Sequence, residues 1–181
     1  MNRHAGARFG SITAKSVAVP AQESAQGHHV EMAHDTVFFL APDDETAAAT
    51  RLRGPDQTFE TVTCRFIEPD SAIAEWDMYF EEPSAEVPPL DRLLRWPWPD
   101  QVTAPLNDGI EVFALPQRLT RALAGAGPAE LEALADRWAT RLRHADGDDM
   151  TDDDLPAVLQ GVARLAASAV SRGGGLYSWS F

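Results

Sequence analysis

Glu75-Trp76-Asp77, with Glu81 and Glu82 close behind, is the densest carboxylate group on any periodic segment of this chain. Asp77 and Glu81 are four residues apart, so on a helix they share a face. Carboxylates gathered in this way can hold a cation or trade protons as general acid and base. A hydrolytic metal site would want histidine too, and none occurs between His34 and His144. Acids usually stay exposed, so a solvated helix face is the simpler reading for these four and the one adopted.

The second unusual group is Trp96-Pro97-Trp98-Pro99. Two tryptophans on a proline-stiffened segment can line a ligand groove or anchor a partner. The simpler reading, and the one adopted, is that they plug the core beneath a long connection, since large aromatics are deeply buried on average.

Other groups carry less. Asp146 to Asp154 is rich in carboxylates, but the calcium-loop pattern fails: counted from Asp146, glycine falls at position 2 and Ala157 stands where the closing glutamate belongs. Cys64, the lone cysteine, excludes an intrachain disulfide and any multi-cysteine metal site. It alternates with Val62 and Phe66 on one apolar face and reads as a buried core residue. His34-Asp35 is an isolated pair. Gly173-Gly174-Gly175 follows an apolar helical stripe and reads as its cap, not as a phosphate cradle. The sequence contains no G-x-S-x-G, H-E-x-x-H, P-loop or dinucleotide fingerprint. We therefore assign no catalytic residue, metal or cofactor from sequence.

These groups need elements to position them. Thr36-Val37-Phe38-Phe39-Leu40 predicts a strand stopped by Pro42, and a short helix follows from Asp43 to Leu52, ended by Gly54-Pro55. Residues 58–66 alternate as a second strand. Asp70 and Ser71 then read as the cap of a helix with Ile73, Trp76 and Phe80 on one face. Residues 83–105 hold six prolines and read as a long irregular connection. Asn107-Asp108-Gly109 turns into a third strand, 110–115. Pro116 and Pro128 each open a helix. The second helix carries Leu131, Leu134, Trp138 and Leu142 as a stripe, with acids early and arginines late. Thr151 to Asp154 fits a capping box before a last helix, whose buried face runs from Leu155 to Ala169. Leu176 to Phe181 alternates as a terminal strand. The expected fold is α+β: one domain over 36–181, a small mixed sheet packed against several helices, with a C-terminal strand. Residues 1–35 are polar and aperiodic and read as a disordered N-terminal tail without a secretory h-region; Met32 offers an alternative start.

From residue 70 onward the parts follow a recognisable order. Ala74-Glu75-Trp76-Asp77-Met78-Tyr79-Phe80 forms a tryptophan helix, an irregular segment follows, and a strand then runs into Leu115-Pro116-Gln117-Arg118-Leu119-Thr120-Arg121-Ala122-Leu123. Two more helices and an aromatic strand close the chain. This order resembles the YfbM-like family of small bacterial domains of unknown function, over residues 70–181. The resemblance implies a similar helix–strand order and brings no activity or catalytic residue.

Charge narrows the function classes. Residues 1–30 carry Arg3, Arg8 and Lys15 against Glu23, a net of +2; the rest carries −15, for −13 in all. So acidic a body argues against nucleic-acid binding. No apolar run approaches the ~18 residues of a membrane span. The expectation is a cytoplasmic, non-enzymatic protein-interaction module, inhibitor- or immunity-like, that docks a basic protein. Glu75, Asp77, Glu81, Glu82, Trp96 and Trp98 are its candidate contact residues. The alternative is a small-molecule-binding protein or an enzyme of unfamiliar class, with its pocket near the Trp/Pro segment.

Overall fold

A computed structural model of the chain describes residues 35–55, 58–65, 67–84, 86–104, 106, 108–145 and 153–181. Residues 1–34 of the predicted tail, Phe66 and most of the acidic loop lie outside the described residues.

The first strand, β1 (Thr36–Ala41), forms from a β-branched and aromatic run and is buried on both sides. Asp43 caps α1 (Asp44–Ala48), its carboxylate accepting from Thr46 N at 2.8 Å. The edge strand β2 (Thr61–Cys64) pairs antiparallel with β1, and Cys64 is fully buried as expected. Next comes α2 (Pro69–Glu81), which begins with proline in its first turn; Glu68 is its N-cap, in place of the expected Asp70 and Ser71. The proline-rich connection contains two pieces of regular structure that periodicity does not reveal: a single helical turn, α3 (Leu90–Leu93), and a two-residue strand, β3 (Asp100–Gln101).

After β4 (Glu111–Ala114) the chain is helical: α4 (Gln117–Gly125), α5 (Pro128–Ala145) and α6 (Leu155–Arg172). Asp154 caps α6, donating no proton but accepting from Ala157 N at 3.2 Å, so the cap lies three residues later than the Thr151 box predicts. Gly173 ends the helix in the left-handed region at φ 71°, a conformation that costs glycine nothing. The last strand, β5 (Gly175–Ser180), follows at once.

The α+β class is as expected, with one correction. The sheet is not mixed: its order is β2-β1-β5-β4-β3 and every pairing is antiparallel. The physical reason is the place of β5. It inserts between β1 and β4 and runs against both, so those two strands share a direction without ever bonding to each other. Thr36 pairs with Ser180 at one end of the β1–β5 ladder and Ala41 with Gly175 at the other.

Both faces of the sheet are covered. On one, Phe38 and Leu176 meet Ile73, Trp76, Leu134, Trp138 and Leu159 from the helices. On the other, Phe39, Val112 and Tyr177 are closed over by Ala47 of α1, with Phe59 and Trp179 at the margin. Tyr177 Oη donates to Asp44 Oδ1 at 2.8 Å, and Trp179 Nε1 to the Arg51 carbonyl at 3.0 Å, which ties that thinner layer to the central strand. No described helix is long and apolar enough to cross a membrane.

Candidate functional site

The carboxylates of α2 do not form a solvated face. Residues 72–79 are all buried, with Glu75 1% and Asp77 2% exposed. That corrects the expectation for these two acids; Glu81 and Glu82, at the helix end, are exposed as expected. The cause is legible in the helix itself. Ala72, Ile73, Ala74, Trp76, Met78 and Tyr79 cover its whole circumference, and a helix apolar all round is buried all round.

Burial obliges both acids to find partners. Two residues along a helix turn the side chain by about 200°, so Glu75 and Asp77 point to opposite sides. Glu75 faces α5. Arg137 Nε donates to its Oε1 at 2.7 Å, and Arg141 Nε and Nη2 donate to its Oε2 at 3.3 and 3.2 Å. The same two arginines hold the start of the proline-rich connection: Arg137 Nη1 donates to Ser84 O at 3.1 Å and Arg141 Nη2 to Pro88 O at 2.5 Å.

Asp77 faces the opposite way. Arg118 of α4 engages it with both fork nitrogens, Nε to Oδ1 at 2.9 Å and Nη2 to Oδ2. Trp96 Nε1 donates to Oδ2 at 2.8 Å. The carboxylate raises the pKa of Arg118, chiefly through the hydrogen bonds. Glu81 comes within 3.7 Å of the same guanidinium, as the shared helix face predicts. Each buried acid is thus the fixed point of a clamp, and the two clamps seat the connection at residues 84–88 and again at 96. With arginine and indole donors on their oxygens, Glu75 and Asp77 anchor structure.

The two tryptophans separate. Trp96 is half-buried against Ala74, Met78 and Leu93. Trp98 is 42% exposed and does not plug the core. Leu90 and Leu94, one turn apart on and just after α3, are 58% and 56% exposed. Leu106 is exposed as well. Around them run exposed ion pairs, Arg92 with Glu82 and Arg95 with Asp91.

Two shallow clefts of about 400 and 420 Å³ flank the Pro83–Ser84 turn, and both take Arg137 as a wall. Neither is lined by Trp96 or Trp98. Among the described residues no three His, Cys, Asp or Glu side chains are grouped to hold a metal. Of the acidic loop, the described end is occupied structurally: Asp153 accepts from Arg65 N at 2.7 Å, and Asp154 caps α6.

Sequence reasoning missed Arg118, Arg137 and Arg141. A signal existed for the last two. They are spaced i, i+4 on α5, and Arg137 immediately precedes Trp138 in the buried stripe, an unusual place for a lone arginine.

Set against protein-family models, curated proteins and solved structures, the chain matches none.

Proposed function

We propose that this chain is a non-enzymatic, acidic protein-binding module, inhibitor- or immunity-like in kind, that docks a basic protein through residues 90–98. The observation that carries the reading is the exposure of Leu90, Leu94 and Trp98 on a connection seated from beneath by arginine clamps on two buried carboxylates. Apolar side chains presented on a pre-ordered segment lose little entropy on association. Trp is enriched among the residues that anchor such surfaces. Glu81 and Glu82 lie at its edge, and the net charge of −13 supplies long-range attraction for a basic partner. A cytoplasmic location and the YfbM-like element order belong to the same proposal. The pocket alternative at the Trp/Pro segment has less support, since neither cleft is lined by Trp96 or Trp98.

The test is kinetic, on a partner recovered from native lysate and then purified. Glu81→Lys with Glu82→Lys should slow association, and more so at low salt, because charges farther apart than ~8 Å are screened at physiological ionic strength. Trp98→Ala should speed dissociation instead. Unchanged kinetics in both variants would remove the segment from the interface. If no partner is recovered reproducibly across a salt series, the binding role itself is lost.

A further inference from the structure

The chain has two Asp–Gly steps, Asp108-Gly109 and Asp146-Gly147, the second outside the described residues. At such a step the glycine nitrogen can attack the preceding side-chain carboxyl, because no Cβ hinders the approach. The surroundings of the first step favour that attack. Asp108 is exposed, and its Oδ1 accepts from Ile110 N at 3.2 Å, a turn that holds the carboxylate beside the intervening Gly109 peptide. Gly109 lies in the left-handed region at φ 76°, and nothing stands within 4 Å of where a side chain would begin.

One side chain opposes it. Arg51, just beyond α1, reaches the turn, and its Nη2 donates to Asp108 Oδ1 at 2.5 Å and to Oδ2 at 2.6 Å. The Arg51 side chain is only 12% exposed, against 41% for Asp108, and its carbonyl is held by Trp179 Nε1. Both carboxylate oxygens are thus occupied by a group fixed in place. The same contact favours the charged form, holding the carboxyl below its usual range.

Ring closure needs the reverse. Gly109 N bonds to Asp108 Cγ and gives up its proton, while one carboxyl oxygen is protonated and leaves as water. The product is a five-membered succinimide. Water then adds to its main-chain carbonyl carbon and breaks the bond from that carbon to Gly109 N. The chain now runs through Cβ and Cγ, and the former main-chain carbonyl is a free carboxylate. One water leaves and one enters, nothing is oxidised, and the mass is unchanged.

We propose that Asp108 is a site of isoaspartate formation that Arg51 keeps closed by holding both carboxylate oxygens. Isomerisation would take the carboxylate away from Arg51 at the turn into β4. The thinner layer would then loosen where Arg51 also meets Trp179. This is independent of the docking surface at residues 90–98, and neither reading needs the other.

The experiment is ageing of the full chain at mildly acidic pH, with peptide mapping of isoaspartate at 108 and at 146, the second site serving as internal reference. In guanidinium chloride the two sites should isomerise at similar rates. In the folded parent, position 108 should be at least about tenfold slower than in the denatured chain, the rate equivalent of one charge-assisted hydrogen bond. Arg51→Met should restore about tenfold at 108 and leave 146 unchanged. Trp179→Phe removes the donor to the Arg51 carbonyl but keeps the ion pair, and should stay as slow as the parent. Should Arg51→Met fail to fold, Arg51→Gln replaces it. The proposal is overturned if the denatured chain forms no isoaspartate at 108, or if the folded parent forms it as fast as the denatured chain. It is equally overturned if Arg51→Met is no faster than the parent, if 146 accelerates with 108, or if Trp179→Phe matches Arg51→Met. In the last two cases a loosened backbone, and not the guanidinium, sets the rate.

Discussion

The indole of Trp138 stands edge-on to that of Trp76, with ring centroids 5.0 Å apart and planes at 88°. The contact joins α5 to α2 within the helical layer, and the Phe38 ring of β1 lies tilted against Trp76 with centroids 5.2 Å apart. Trp138→Ala should therefore destabilise the fold by about 3–5 kcal/mol in chemical denaturation, as deep aromatic truncations do. A loss below about 1 kcal/mol would mean that the layer repacks around the gap.

Glu75 and Glu82 are seven residues apart on and just beyond one helix, yet their removal should have very different effects. Glu75→Ala leaves Arg137 buried, and Arg141 mostly so, without their carboxylate and should cost about 3–5 kcal/mol. Glu82→Ala, on the surface, should stay within about 0.5 kcal/mol of the parent. Limited proteolysis adds a second reading. Losing the clamp should expose residues 83–89 to cleavage, because the arginines that hold Ser84 and Pro88 lose their own support.

Gly161 on α6 lies against Val62 of the edge strand so closely that an added Cβ would sit 2.8 Å from Val62 Cγ2. Gly161→Ala should cost about 1–3 kcal/mol by overpacking, despite alanine's better helix propensity. Val62→Ala in the same chain should recover much of the loss. A double-mutant cycle measures this directly, and additive effects would place the strain elsewhere.

Stability should fall in alkali through Tyr177. Burial, reinforced by the bond to Asp44, raises its pKa well above the ordinary phenol value. The unfolded chain releases that proton near pH 10, while the folded chain keeps it. The contribution is complete below about pH 10 and is lost as pH rises through the folded value. Tyr177→Phe should flatten the alkaline limb of a stability–pH curve. On the acid side the sign reverses. Arg51 holds the Asp108 carboxyl below its usual range, so that contribution is present above about pH 4 and lost as pH falls. Asp108→Asn should flatten the acid limb. Curves that keep their shape in these variants would assign the pH dependence to other groups.

Local pattern was enough to find the elements whose apolar spacing is strong. The stripe of Leu131, Leu134 and Trp138 and the cap at Gly173 stand where periodicity and turn chemistry place them. β3 escaped because two residues carry no period, and its pairing of Asp100 with Ala114 depends on where β4 lies. The sheet order escaped for a related reason: alternation marks a strand without naming its neighbours. The buried acids were misread because their partners come from 19 to 66 residues away, a separation that i, i+4 reasoning does not reach. Trp96 and Trp98 have the same local sequence signal and different fates, decided by whether Asp77 stands within reach of the indole nitrogen.

β5 is the last strand to leave the ribosome and the middle strand of the sheet. During synthesis β1 and β4 emerge with nothing to bridge them, each offering unpaired backbone to whatever else is nearby. Closure needs contacts across nearly the whole length of the domain, so it comes late and all at once. The nascent chain therefore passes through a period of vulnerability to mispairing that a sheet built from successive hairpins would avoid.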